Sequence, residues 1–300
     1  MRLPRASLEV LLVVLLALAC EPTGGSKSSD SGVTGPDGAQ LADAAVVADD
    51  AASQADAAVD PDAWEAPDAA VPDMAPTEGC ADEEASVVEL TTDDGVRLVA
   101  DFHPGPATGR AVALFHMIPP SNDRTNYPTG FIHALVERGF TVINVDRRGA
   151  GDSDGDAREA YTGPNGRLDV KAAWDHLLAP GCGVRAEQVG LVGASNGTTS
   201  VLDFTADPFL PRPAAIVFLT GGGYTENQTA IAANGDALST LPIDFVFSTD
   251  ERAWSAGFAG DAPEVWNFDE YAPGGHGTRM FGVQPDSVTA VADWLDEVVP

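Results

Sequence analysis

The stretch Val189-Gly190-Leu191-Val192-Gly193-Ala194-Ser195-Asn196-Gly197 decides how this chain is read. An apolar run feeds straight into a G-x-S-x-G pentapeptide, and Thr198 to Leu202 continue as a helix. A strand that reverses sharply into a helix forces its central residue into strained backbone angles and leaves no room for neighbouring Cβ atoms, so glycine stands on both sides. Ser195 is thereby held proud of a sheet edge, and the first N–H groups of the following helix favour negative charge developing there. Alone, the pentapeptide is a weak signal, because small residues in loops produce it by chance.

The surrounding chain supplies the rest. Ile243 to Phe247 reads as a short buried strand running into Ser248-Thr249-Asp250-Glu251, which puts Asp250 just past a strand's carboxyl end as the orienting acid. Glu264 to Phe268 reads as another strand, followed by the loop Gly274-Gly275-His276-Gly277 and an amphipathic helix from Ser287 to Val299. A histidine between glycines can swing its imidazole to a serine, so His276 is the candidate general base. Upstream, Ala111 to Phe115 and Phe140 to Val145 are apolar on both faces and separated by a helical segment, Tyr127 to Arg138, as a doubly covered parallel sheet requires. Ser86–Thr91 and Val96–Phe102 form an opening hairpin around Asp94-Gly95, Leu168–Leu178 a helix, and Ala214–Leu219 a further strand.

These motifs together resemble the α/β-hydrolase fold, nearest to the dienelactone-hydrolase and serine-aminopeptidase-like groups. The residues that carry the resemblance are the D-x-R-G-x-G-x-S turn from Asp146 to Ser153, the elbow from Gly193 to Gly197, Asp250, and the glycines around His276. The resemblance covers most of residues 85 to 300 and implies an α/β, mostly parallel sheet with helices on both faces. It also implies a Ser195-His276-Asp250 triad acting through an acyl-enzyme, with an oxyanion hole built from the backbone N–H groups of Asn196 and Ile118. The chain departs from the family pattern at Met117, where glycine often follows the histidine; Met117 is the less favoured alternative to Ile118. Only about two dozen residues, 220 to 242, separate the two strands between which relatives insert a cap, too few for a cap domain. Tyr224 and Trp254 are either pocket walls or ordinary packing aromatics, and His116 and His176 read as structural. Arg147 and Arg148 are expected to pair with nearby acids, with a grip on a substrate carboxylate as the alternative.

The amino terminus points to export. Arg2 and Arg5 precede an apolar stretch from Leu8 to Ala19, too short for a membrane span. Leu18-Ala19-Cys20 resembles the end of a bacterial lipoprotein signal, with Ala17 where leucine is usual; the resemblance implies a leader over residues 1–19 and Cys20 as the lipidated first residue of the mature chain, anchored to a membrane in the periplasm or at the cell surface, and ordinary cleavage with an incidental cysteine is the alternative. Residues 20–84 form an acidic Ala/Asp/Pro-rich segment, with 16 acids against Lys27 between Glu21 and Glu84; it reads as a disordered, self-repelling tether. Cys80 and Cys182, both in loops of an exported chain, are candidates for one disulfide.

Residues 85–300 suit one domain and carry 29 acids against 13 bases. That balance argues against nucleic acid as a partner and disfavours highly anionic substrates. No P-loop, dinucleotide fingerprint or zinc cluster occurs, and Asp152-Ser153-Asp154-Gly155-Asp156 lacks the glycine and closing glutamate of a calcium loop, so no cofactor or metal is implied. The expected activity is hydrolysis of small carboxylic esters or related acyl compounds. A peptidase of the same fold and a non-catalytic binding protein are the alternatives.

Overall fold

A computed structural model describes residues 84–300 apart from 107, 225–230 and 232–234. The expected leader, Cys20, the acidic segment up to residue 83 and Cys80 lie outside the described residues. Eight strands form one sheet in the order β1-β2-β4-β3-β5-β6-β7-β8. They are β1 Ser86–Thr91, β2 Arg97–His103, β3 Ala111–Phe115, β4 Thr141–Val145, β5 Val189–Ala194, β6 Ala215–Leu219, β7 Ile243–Ser248 and β8 Trp266–Tyr271. β2 is antiparallel to both of its neighbours, and the sheet from β4 to β8 is parallel throughout.

Every residue of β3, β4, β5, β6 and β7 is buried, which is why these strands read as unbroken apolar runs. Alternate side chains go to opposite faces. Ala111, Ala113 and Phe115 join Leu191, Phe218 and Phe245 in one core layer, covered by the helices Gly166–Leu177 and Gly197–Ala206. Val112, Leu114, Val192 and Val217 join the other layer, covered by Thr129–Glu137 and Asp286–Val298. In chain order these four helices are α1 (Thr129–Glu137), α2 (Gly166–Leu177), α3 (Gly197–Ala206) and α4 (Asp286–Val298). Burying each phenylalanine in these layers is worth about 1.5–3 kcal/mol, enough for a few such residues to fix the sandwich.

β8 begins two residues later than its apolar stretch suggests and runs on through Asp269 and Glu270. It is an edge strand whose residues are only half-buried, so acidic side chains are tolerated there. The winding of the chain reverses at β3, which has β4 on one side and β5 on the other. In open α/β sheets a crevice forms at such a switch point, beyond the carboxyl ends of the strands. The loops leaving β3 and β5 meet there.

Candidate active site

Ser195 leaves β5 in the left-handed region, with φ 48°, and its N–H donates to the Leu219 carbonyl of β6 at 2.7 Å. The flanking glycines have separate reasons. A Cβ on Gly193 would lie 2.7 Å from the Thr198 backbone, and one on Gly197 would lie 2.3 Å from the Phe115 carbonyl oxygen. The start of α3 thus presses directly on the end of β3. Ser195 itself is 4% exposed.

His276 stands between Gly275 and Gly277, the latter at φ 56° with its N–H held by Thr220 Oγ1 at 3.0 Å. Ser195 Oγ donates to His276 Nε2 at 2.5 Å, and His276 Nδ1 donates to Glu251 Oε1 at 2.8 Å. The two bonds assign the imidazole proton to Nδ1 and leave Nε2 as the acceptor.

The carboxylate hydrogen-bonded to His276 is not the one the sequence reading expects. Among the described residues the acceptor of the His276 Nδ1 hydrogen bond is Glu251, the residue after Asp250. β7 extends through Ser248, and Thr249–Glu251 then form a single 3₁₀ turn whose start is capped by Ser248 Oγ accepting from the Asp250 N–H. Successive side chains in such a turn diverge by about 120°, so only one of two neighbouring carboxylates can face the histidine. Glutamate's extra methylene lets it reach across from the turn.

The loop after β3 supplies the opposite wall. The N–H groups of Met117, Ile118 and Asn196 donate to no acceptor among the described residues. The Ile118 carbonyl is held by Asn122 Nδ2 at 2.8 Å, and its side chain is exposed. Met117 is buried and packs against Gly277, so the residue that departs from the family pattern fills the space under the histidine loop. His116 is fully buried: Nδ1 donates to the Met117 carbonyl at 2.8 Å and Nε2 accepts the Arg147 N–H at 2.9 Å. Burial, reinforced by the Arg147 charge, pushes its pKa down to about 3, so the ring is neutral and serves as a strut.

Tyr224 and Trp254, each either a pocket wall or a packing aromatic by sequence, separate in the structure. Tyr224 places its hydroxyl 3.3 Å from Ser195 Oγ and is 40% exposed, which makes it a lining residue. Trp254 instead packs among Phe218, Phe245 and Phe258 and over Gly221. His176 meets Phe102 edge-on, away from the site.

The D-x-R-G-x-G-x-S turn is scaffolding. Asp146 is fully buried and accepts from the N–H groups of Arg124 and Asp152 as well as from the Arg124 guanidinium. Gly151, at φ 54°, passes so close to Asp146 that a Cβ there would overlap its carboxylate. Ser153 Oγ bonds the Asp146 carbonyl and accepts from Val99 N–H, tying the turn to β2. Arg148 pairs with Asp94, Asp169 and Glu159, as expected, but Arg147 has only neutral hydrogen-bond acceptors. Sequence alone does not separate the two arginines, because pairing is the default for an arginine beside acids.

No cluster of histidine, cysteine or carboxylate side chains among the described residues could hold a metal. A cavity of about 330 Å³ opens at the amino ends of β7 and β8, lined by Pro242, Trp266 and Trp294; it shares no residue with Ser195 and its partners. Cys182 is disulfide-bonded, while Cys80 lies outside the described residues.

No family model matches the chain. Solved structures do. An esterase of Pyrococcus furiosus is 18% identical with a TM-score of 0.56, covering 72% of this chain and 94% of its own. A 2,6-dihydroxy-pseudo-oxynicotine hydrolase is 20% identical with a TM-score of 0.53, covering 72% of this chain and 68% of its own. An esterase from a Rhodococcus species is 16% identical with a TM-score of 0.53, covering 71% and 99%. The fold is that of the α/β hydrolases. At these identities the likeness extends to architecture alone, and the chemistry must be argued from the site.

Proposed function

We propose that this chain is a serine hydrolase that cleaves small, uncharged carboxylic esters through an acyl-enzyme. The observation that carries the reading is the continuous relay from Ser195 through His276 to Glu251, built on a serine held at positive φ. His276 Nε2 takes the hydroxyl proton as Oγ attacks the acyl carbonyl, then returns it to the leaving alkoxide. Glu251 keeps the proton on Nδ1 and stabilises the imidazolium. The N–H groups of Asn196 and Ile118 receive the oxyanion, each worth about 3 kcal/mol in the transition state. Water, activated by the same histidine, releases the acid. That the structural neighbours include esterases supports the ester over the amide. Domain-wide negative charge favours neutral esters over anionic ones.

A panel of p-nitrophenyl esters and aminoacyl p-nitroanilides, assayed on the same purified domain, tests this reading. Turnover of acetate or butyrate esters that vanishes in Ser195→Ala is expected. Faster turnover of the anilides would make the chain a peptidase, and no turnover of either would remove the enzymatic reading.

The same proposal includes export and anchoring through a lipidated Cys20. The basic, then apolar, then cysteine-ending amino terminus supports both, and the disulfide at Cys182 supports export alone, since such bonds persist in oxidising compartments. Mass spectrometry of the mature chain, with detergent phase partition, should find acyl mass on Cys20 and the protein in the detergent phase; an unmodified, water-phase product would refute anchoring.

A further inference from the structure

Arg147 follows β4 by two residues and is completely buried, yet every acceptor on its guanidinium is neutral. A buried cation without a directly bonded carboxylate is costly to keep, and burial lowers its pKa to about 10. A glutamine or methionine would fill the space with less desolvation, so the particular contacts need a reason.

Those contacts converge on the oxyanion wall. Nη1 donates to the carbonyls of His116 at 3.3 Å and Met117 at 3.4 Å, and to Asn196 Oδ1 at 3.0 Å. Nη2 donates to the Ala160 carbonyl at 2.6 Å and to Ser200 Oγ, on α3, at 2.8 Å. The Arg147 backbone N–H holds His116 Nε2, whose ring in turn grips the Met117 carbonyl. In a trans peptide the C=O and the following N–H point in opposite directions. Pinning the carbonyls of His116 and Met117 therefore aims the amides of Met117 and Ile118 outward, whichever of them receives the oxyanion. The same guanidinium nitrogen fixes the side chain of Asn196, whose own N–H is the second donor.

We infer that Arg147 is the positioning residue of the oxyanion hole, a single rigid fork that holds the donor loop after β3 and the donor residue after the nucleophile in register with each other. The inference rests on the serine-hydrolase reading above. The close approach of Gly197 to Phe115 brings the two halves together; Arg147 sets their relative orientation from behind. Its planar fork suits this task in a way a lysine does not, because one point charge cannot reach three acceptors on two loops and two more on a third side.

The test compares wild type, Arg147→Gln, Arg147→Lys, Asn196→Ala and the Arg147→Gln/Asn196→Ala double variant. Each is assayed with p-nitrophenyl acetate and with a trifluoromethyl ketone, which adds to the serine reversibly and mimics the tetrahedral oxyanion. Arg147→Gln should lower kcat by about 10- to 100-fold while KM stays within about threefold, because misaimed donors weaken the transition state and not the ground state. Ketone affinity should fall by the same factor as kcat/KM, lysine should not restore it, and the double variant should be no worse than Arg147→Gln alone. Equal loss of KM and kcat with unchanged ketone affinity, or full additivity in the double variant, overturns the inference. If Arg147→Gln does not fold, Asn196→Ala decides alone: a ketone affinity equal to wild type overturns it, and a loss matching its fall in kcat supports it. Fluorophosphonate labelling of the wild type separates the two levels. An unlabelled wild type ends the hydrolase reading and this inference together, whereas a labelled wild type with unaffected variants ends only the role of Arg147.

Discussion

The elbow around Ser195 and the turn around Glu251 both sit at carboxyl ends of neighbouring parts of one sheet, yet one was readable to the residue and the other was displaced by one. The elbow is over-determined. Positive φ at Ser195 and the backbone contacts facing Gly193 and Gly197 leave almost no other sequence that could make it. The acid turn has no such requirement. Ser248, Thr249, Asp250 and Glu251 form an ordinary capped 3₁₀ turn that many sequences could make, and two adjacent carboxylates compete for one imidazole. Backbone constraint leaves a signature in sequence, whereas side-chain reach does not.

The largest expected effect lies at the elbow. Ser195→Ala should lower ester turnover by about 10⁴-fold or more, measured as kcat/KM, because the relay loses its nucleophile. Gly197→Ala should fail differently: a methyl driven into the Phe115 carbonyl should destabilise the domain by about 2 kcal/mol or more, seen as a lowered urea midpoint. A Gly197→Ala protein with normal stability would break the claim that the elbow is sterically dictated.

Next comes the turn. Glu251→Gln should cost about 10²- to 10⁴-fold in kcat, since the imidazole loses the partner that sets its tautomer, while Asp250→Asn should stay within about threefold of wild type. The reverse ranking would return the acid to Asp250 and sharpen the comparison in the opposite sense. Tyr224→Phe should have a smaller effect, about two- to tenfold on kcat/KM, because it removes one hydroxyl beside Ser195 Oγ without touching the relay.

The smallest effect concerns stability alone. Asp244 is wholly buried on β7, and burial first, then the nearby Asp269, raise its pKa well above the ordinary carboxylate range. The unfolded chain ionises Asp244 more readily than the folded one does. Stability linked to this group is therefore full below the ordinary aspartate pKa and declines as pH rises towards the raised folded value. Asp244→Asn should raise Tm at pH 8 by about 2–4 °C, corresponding to about 1 kcal/mol, with the gain shrinking towards pH 4. A gain independent of pH would show that charge is not its source.

Much of the architecture was legible for the same reason as the elbow. Strands buried on both faces must be apolar throughout, so β3 to β7 stand out in composition. β8 was harder, because an edge strand tolerates Asp269 and Glu270 and so resembles a loop where it continues. Arg147 and Arg148 are adjacent and chemically identical, and only the three-dimensional placement of acids and carbonyls distinguishes the ion-paired residue from the one that braces the site. The 40% exposure of Tyr224 likewise depends on a loop whose course no periodicity specifies.

Fluorophosphonate labelling followed by peptide mass mapping tests the central claim most directly. The account predicts one adduct, on the peptide containing Ser195, lost in Ser195→Ala, strongly slowed in His276→Ala and Glu251→Gln, and unaffected in Asp250→Asn. No adduct on the folded wild-type chain, or an adduct that persists in Ser195→Ala, would contradict it.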